Sequence, residues 1–187
     1  MINWLKKYWY VPAGLILLSS SSVQSIVKKT IGIQETGGGS GFSNKAFEAE
    51  MKELGWQPWW SWCVLYAKYS WSHWLKGKER AKAMELLNAN SQQTWSNFRK
   101  DTSGLFELSD KPKHVGAIAI WQGAVNKGTG HAGIVTKIPS DYKSFITWEG
   151  NYNNQVAKDI TRYYNYTTAN SEGLKLKGFI NVKRLAK

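Results

Sequence analysis

Val115-Gly-Ala-Ile-Ala-Ile-Trp121 and Ala132-Gly-Ile-Val-Thr-Lys-Ile138 decide the fold class. Both are short runs rich in β-branched and aromatic residues, bounded by Gly, Asn and Pro, and they read as strands. Downstream, Ser144-Phe-Ile-Thr-Trp-Glu149 and Lys177-Gly-Phe-Ile-Asn-Val182 have the same texture, and Asp159 to Tyr166 reads as one more strand. Upstream of Pro112 the period changes. Val23 to Ile33 carries helical spacing through Val23, Ile26/Val27 and Ile31, until Gly37-Gly38-Gly39-Ser40-Gly41 breaks it. Ser43 is placed to cap a helix running to Leu54, with Phe47, Met51 and Leu54 on one face and Gly55 ending it. Gln57-Pro58-Trp59-Trp60 reads as a loop, and Ser61 as the N-cap of a helix from Trp62 to about Leu75. Lys78 to Asn88 and Thr94 to Lys100 are further helical pieces. Helices first and strands later predict an α+β fold, with N-terminal helices packed on one face of a C-terminal antiparallel sheet. No internal repeat is visible.

The chain has 187 residues, room for one ordinary domain and an appendage. Apolar residues make up 42%, which supports a core and excludes a disordered chain. A formal charge of +12 favours polyanionic partners: nucleic acid, anionic lipid or an acidic cell-wall polymer. The single Cys excludes an intramolecular disulfide and a Cys-rich zinc module. Eleven Trp are far above ordinary usage.

Met1 to Ser25 has the order of a targeting segment: Lys6 and Lys7, then the uncharged run Tyr8 to Leu18, then Ser19 to Ser22. The apolar run alone is too short to span a bilayer, which takes about 20 residues. Extended through Val27 it reaches that length, and Trp4, Trp9 and Tyr10 suit an interfacial belt. The expected organisation is thus a signal or signal-anchor over 1–25 and a folded domain over 26–187, with any membrane contact made through residues 1–27. The protein is expected to be exported or anchored in the inner membrane.

With Ser61 as cap, Cys63 falls at the second helical position, among unpaired N–H groups at the positive end of the helix dipole, a setting that favours thiolate. A lone Cys is more often inert and buried, so a partner is needed. His131 supplies one. It starts a strand between Gly130 and Gly133, and small neighbours leave its imidazole open to take a proton from a thiol. His73 lies ten positions beyond Cys63 on the same helix, ~15 Å away at 1.5 Å per residue. His114, between Lys113 and a strand entrance, is expected at the surface. A third group should orient the imidazole, and Glu149 and Asn151 on the next strand both share its parity.

Trp62-Cys63 opening a helix, Gly130-His131-Ala132-Gly133-Ile134-Val135, and Glu149-Gly150-Asn151, in that order, resemble the CHAP family. These are cysteine, histidine-dependent amidohydrolases/peptidases of bacteria and phages with a papain-like core. The resemblance covers about Val23 to Val182. It implies hydrolysis of amide bonds in peptidoglycan, as an N-acetylmuramoyl-L-alanine amidase or an endopeptidase, in endolysin-like lysis. Cys63 would be nucleophile, His131 base, and Glu149 with Asn151 orienting or polarising groups. Family members often have a Gly-Asp pair entering the first long strand, where this chain reads Gly116-Ala117. No Asp-rich loop precedes Cys63, so neither a metal nor another cofactor is expected. Trp71 and Trp74 are expected in the core, whereas Trp59, Trp60 and Trp62 are candidates for a substrate groove, with core packing the alternative. The expected partner is peptidoglycan, met by a monomer. Rival classes are a non-catalytic wall-binding module and a basic nucleic-acid binder. No nucleic-acid motif is present, and nucleic acid is not expected.

Overall fold

A computed structural model describes residues 22–186. The expectations for the basic start and the apolar run lie outside the described residues. Residues 22–25 do not: they open the folded unit. Helix α1 (Val23–Lys28) is capped by Ser22, whose side chain accepts from Ser25 N–H, and it buries Val23, Ile26 and Val27. The helix is shorter than its apolar spacing, because Thr30 Oγ1 donates to the Val27 carbonyl and Gly32 turns the chain at φ 77°.

A two-stranded hairpin follows, β1 (Glu35–Thr36) against β2 (Gly41–Phe42). Then come α2 (Lys45–Glu53), α3 (Cys63–Trp74), α4 (Gly77–Leu86) and α5 (Ser91–Lys100). Asn44, not Ser43, caps α2: its side chain accepts from Phe47 N–H, while the Ser43 hydroxyl is engaged by Gln34 N–H. Likewise α3 starts one residue later than expected. Trp62 is its N-cap and no side chain caps it, so Ser61 stays exposed and Cys63 becomes the first helical residue.

The remaining strands are β3 (Phe106–Ser109), β4 (Ile118–Gly123), β5 (Gly130–Lys137), β6 (Ser144–Tyr152), β7 (Gln155–Tyr163) and β8 (Leu174–Val182). They form one antiparallel sheet in the order β3-β8-β4-β5-β6-β7. This is the expected α+β arrangement, with a papain-like helix-on-sheet core. The alternation in β4 and β5 shows why their runs are so uniformly apolar. Ile118, Ile120, Ala132 and Ile134 join the main core with Trp62, Val64, Trp71 and Leu75. Ala117, Ala119, Trp121 and Val135 join a second core with Phe145 and Phe179, which Tyr164 and Tyr166 from the β7–β8 connection cover. Both faces of the sheet are therefore buried, not only the face under the helices.

β4 starts three residues later than its apolar run. Gly116, at φ 98°, sits where the Trp74 ring would overlap any Cβ, and its carbonyl accepts from Trp71 Nε1 at 2.8 Å. Ala117, where the family often carries Asp, is fully buried among the apolar side chains of the second core. His114 is half-buried, not at the surface. Its Nδ1 faces the Val115 carbonyl and its Nε2 accepts from Val182 N–H, so the ring ties β8 to the entrance of β4. Burial holds its pKa below the usual histidine range.

Candidate active site

Three of the four catalytic candidates converge. Cys63 opens α3, His131 stands second in β5, and Glu149 lies within β6, which pairs with β5. His131 Nε2 is 2.7 Å from Glu149 Oε2. That bond occupies Nε2 and leaves Nδ1 free, while Cys63 lies near enough to the imidazole to bias its protonation. Burial disfavours the imidazolium, but Cys63 and Glu149 outweigh it and hold His131 up at about 10. Glu149 is wholly buried. Burial alone pushes its pKa up, yet bonds from Arg162 and His131 prevail and hold it at about 2.

Two glycines make this geometry possible. A Cβ on Gly133 would stand 2.8 Å from Glu149 Cγ, so the bare backbone of β5 lets the carboxylate reach His131. On Gly150 a Cβ would overlap Tyr66 and Trp62, so the backbone beyond Glu149 lies directly on α3. Those contacts fix how β6 meets the helix that carries Cys63.

Cys63 is 5% exposed, and the His131 side chain 12%. Cys63 is thus a buried member of the main core, with His131 beside it only slightly more open to solvent. The first turn of α3 has no side-chain cap, so its amide hydrogens are free to meet an anion beside the sulfur.

The other candidates fall differently. Asn151 makes no hydrogen bond to His131 among the described residues. It has a left-handed backbone (φ 58°) and lines a cleft of about 300 Å³ with Trp59, Trp60 and Ser61. Between the two orienting candidates, the contact to the imidazole belongs to Glu149. Trp59 and Trp60 are exposed on the cleft wall, as a groove requires. Trp62 is not: it is fully buried in the main core, edge-on to Phe42 and Tyr66. His73 pairs with Glu50 at 2.6 Å, away from the site.

Arg162 was missed by sequence reasoning. From β7 it sends Nε to Glu149 Oε1 at 2.8 Å and Nη2 to Oε2 at 2.6 Å, and Nη1 to Glu172. Thr147 Oγ1 also donates to Glu149 Oε1. A signal existed: Ile160 and Arg162 share one face of the expected strand, and a cation on the face of an apolar neighbour calls for a buried partner.

Among the described residues no three His, Cys, Asp or Glu side chains gather as metal ligands. The family model for the CHAP domain matches residues 54–151. That span runs from the end of α2 to Asn151, takes in Cys63, His131 and Glu149, and stops before Arg162. No curated protein and no solved structure matches the chain.

Proposed function

The chain belongs to the CHAP family, whose members are peptidoglycan amidases and peptidases, and from that premise we propose that it cleaves amide bonds of peptidoglycan with Cys63 as nucleophile. The observation that carries the reading is the His131 imidazole bonded to the buried Glu149 carboxylate, with Cys63 at the start of α3 near enough to favour its protonated form.

In the proposed reaction the Cys63 sulfur attacks the scissile carbonyl carbon. A C–S bond forms and the carbonyl electron pair moves onto oxygen. Amide hydrogens at the uncapped start of α3, Cys63 N–H among them, face that oxyanion. As the tetrahedral adduct collapses, the C–N bond breaks and the imidazolium gives its proton to the departing amine. Water, losing a proton to the now neutral imidazole, attacks the thioester and releases the acid and the sulfur. Glu149 fixes the ring orientation and stabilises its protonated form throughout.

The finer proposal is endolysin-like lysis by amidase or endopeptidase cleavage. The protein would reach the wall by export or by attachment to the inner membrane, a reading that rests on the basic and apolar order of Met1 to Ser25. Among the described residues, no helix is long and apolar enough to cross a membrane.

Incubating purified murein with the wild type and with Cys63→Ala tests the function. New amine ends are expected with the wild type alone, and the mass and N-terminal residue of the product identify the bond. Wall cleavage by a folded Cys63→Ala protein removes the mechanism. Sedimentation with murein without cleavage by either protein makes the chain a binder.

A further inference from the structure

The cleft beside the proposed catalytic centre contains a carboxylate that the reaction does not use. Glu35, half-buried on β1, makes no ion pair and no side-chain hydrogen bond among the described residues. An uncompensated carboxylate is notable in a chain of net charge +12, where cations are plentiful. It lies in the same cleft as Trp59, Trp60, Ser61 and Asn151. Ser61 stands two residues before Cys63 and Asn151 two after Glu149, so two of the cleft's lining residues flank the catalytic candidates in the chain.

Trp59 gives this carboxylate an aromatic companion. A Cβ on Gly39 would stand 3.3 Å from Glu35 Oε1 and 3.3 Å from Trp59 Cδ1, so acid and indole flank the same bare glycine. Trp59 is 75% exposed and takes a left-handed backbone at φ 66°, a conformation uncommon for a bulky residue. It is held there by its own N–H, which donates to the Gly39 carbonyl at 2.7 Å. Trp60 is exposed on the same wall. A wet indole held in an unfavourable conformation beside an unpaired carboxylate is suited to one ligand chemistry. An ammonium group gains a charge partner from the acid and a π-face from the indole.

We propose that this cleft is a subsite for an ammonium-bearing residue of the substrate peptide, the free side-chain amine of an uncross-linked diamino acid in the stem. Cross-linking converts that amine to an amide and removes the charge, so the enzyme prefers uncross-linked strands. The inference rests on the peptidoglycan reading and deepens it.

Binding to the full-length Cys63→Ala protein, followed through tryptophan fluorescence, tests the subsite apart from catalysis. The probes are a soluble muropeptide with a free diamino-acid amine and the same muropeptide N-acetylated on that amine. The free amine is expected to bind about tenfold more tightly, and the double variant Cys63→Ala/Glu35→Gln to bind both probes equally and weakly. Equal affinities in the Glu35 protein, a preference that survives Glu35→Gln, or no binding of either probe overturns the proposal. Murein hydrolysis by the wild type is scored alongside. Cleavage without amine discrimination sinks the subsite alone, whereas discrimination without cleavage sinks the hydrolase reading and leaves the subsite standing.

Discussion

Arg162 grips both carboxylate oxygens of Glu149, with Nε 2.8 Å from Oε1 and Nη2 2.6 Å from Oε2, while Glu149 Oε2 also lies 2.7 Å from His131. One buried anion is therefore shared between two cations. The guanidinium sits over the Trp121 ring at 5.0 Å, which leaves it little freedom to turn away. Glu149 can point at the imidazole only because Arg162 fixes its plane from behind, a bidentate geometry that lysine cannot reproduce.

Arg162→Met should accordingly destabilise the fold by about 3–5 kcal/mol, the usual cost of leaving a buried charge without its partner. Arg162→Lys keeps a charge but loses the fork. It should fold better than Arg162→Met, yet retain well under a tenth of wild-type kcat. In both, the Glu149 carboxyl rises toward its ordinary range, so the acid limb of the pH–rate profile moves to higher pH. Thermal melts and a pH–rate profile together check this; an unchanged acid limb in Arg162→Lys would reduce Arg162 to a packing role.

Glu149→Gln removes one of the two partners that hold His131 at about 10. The alkaline limb of kcat/KM should then move down by about 1–3 pH units, the usual effect of one close opposite charge. Stability follows the same sign. A histidine raised by folding contributes fully below its unfolded value of about 6.5, and that contribution is lost as pH rises toward 10. Denaturant titrations across this interval should show wild-type stability falling more steeply than that of Glu149→Gln. Parallel curves would count against an imidazolium at position 131.

Glu48 offers an independent electrostatic test, remote from the chemistry. It is held at about 2 by Lys45 and Lys52, with Phe42 N–H adding to them. The carboxylate thereby joins the first turns of α2 to β2, where Phe42 packs on Trp62 at the start of α3. Because folding lowers this pKa, its contribution is present above about 4.5 and is lost as pH falls toward 2. Glu48→Gln should lower Tm at pH 7 and converge with the wild type near pH 2. A constant gap between the two melting curves across that range would contradict the assignment.

How much of this was legible in the sequence follows from what each feature depends on. The strand runs Val115–Trp121 and Ala132–Ile138 could be read because burial on both faces makes them almost wholly apolar. β3 could not: Phe-Glu-Leu-Ser is half-buried along its length and owes its existence to β8. Cys63, His131 and Glu149 were legible through residue type and parity. The choice of Glu149 over Asn151 was not, since it depends on the side-chain space left by Gly133. The caps of α2 and α3 each moved by one residue, because Ser43 found a partner in Gln34 and burial of Trp62 set the helix start. Arg162 was hidden for a different reason. Its partner lies on another strand, thirteen residues away, and only the β6–β7 pairing brings them together.

That dependence on empty space gives the last prediction, Gly133→Ala. The backbone at 133 is ordinary extended strand, so alanine is conformationally acceptable and the peptide ladder to β4 survives. The added methyl would stand 2.8 Å from Glu149 Cγ and 3.2 Å from Thr147 Cβ, both on the neighbouring strand. Something must shift by several tenths of an ångström, and the Glu149 stem is the freer of the two because Thr147 is β-branched. The carboxylate is thus pushed off its line to His131 while Arg162 continues to neutralise it. Misplacement of about 1 Å in a catalytic array costs on the order of 10²-fold in rate. Gly133→Ala should therefore lose about that much kcat on murein while its Tm falls only modestly. Cys63 alkylation by iodoacetamide, slowed because the imidazole is no longer oriented toward the sulfur, provides a readout independent of substrate. Full activity with a normal alkylation rate would mean that Glu149 does not need the space over Gly133 to hold the histidine in place.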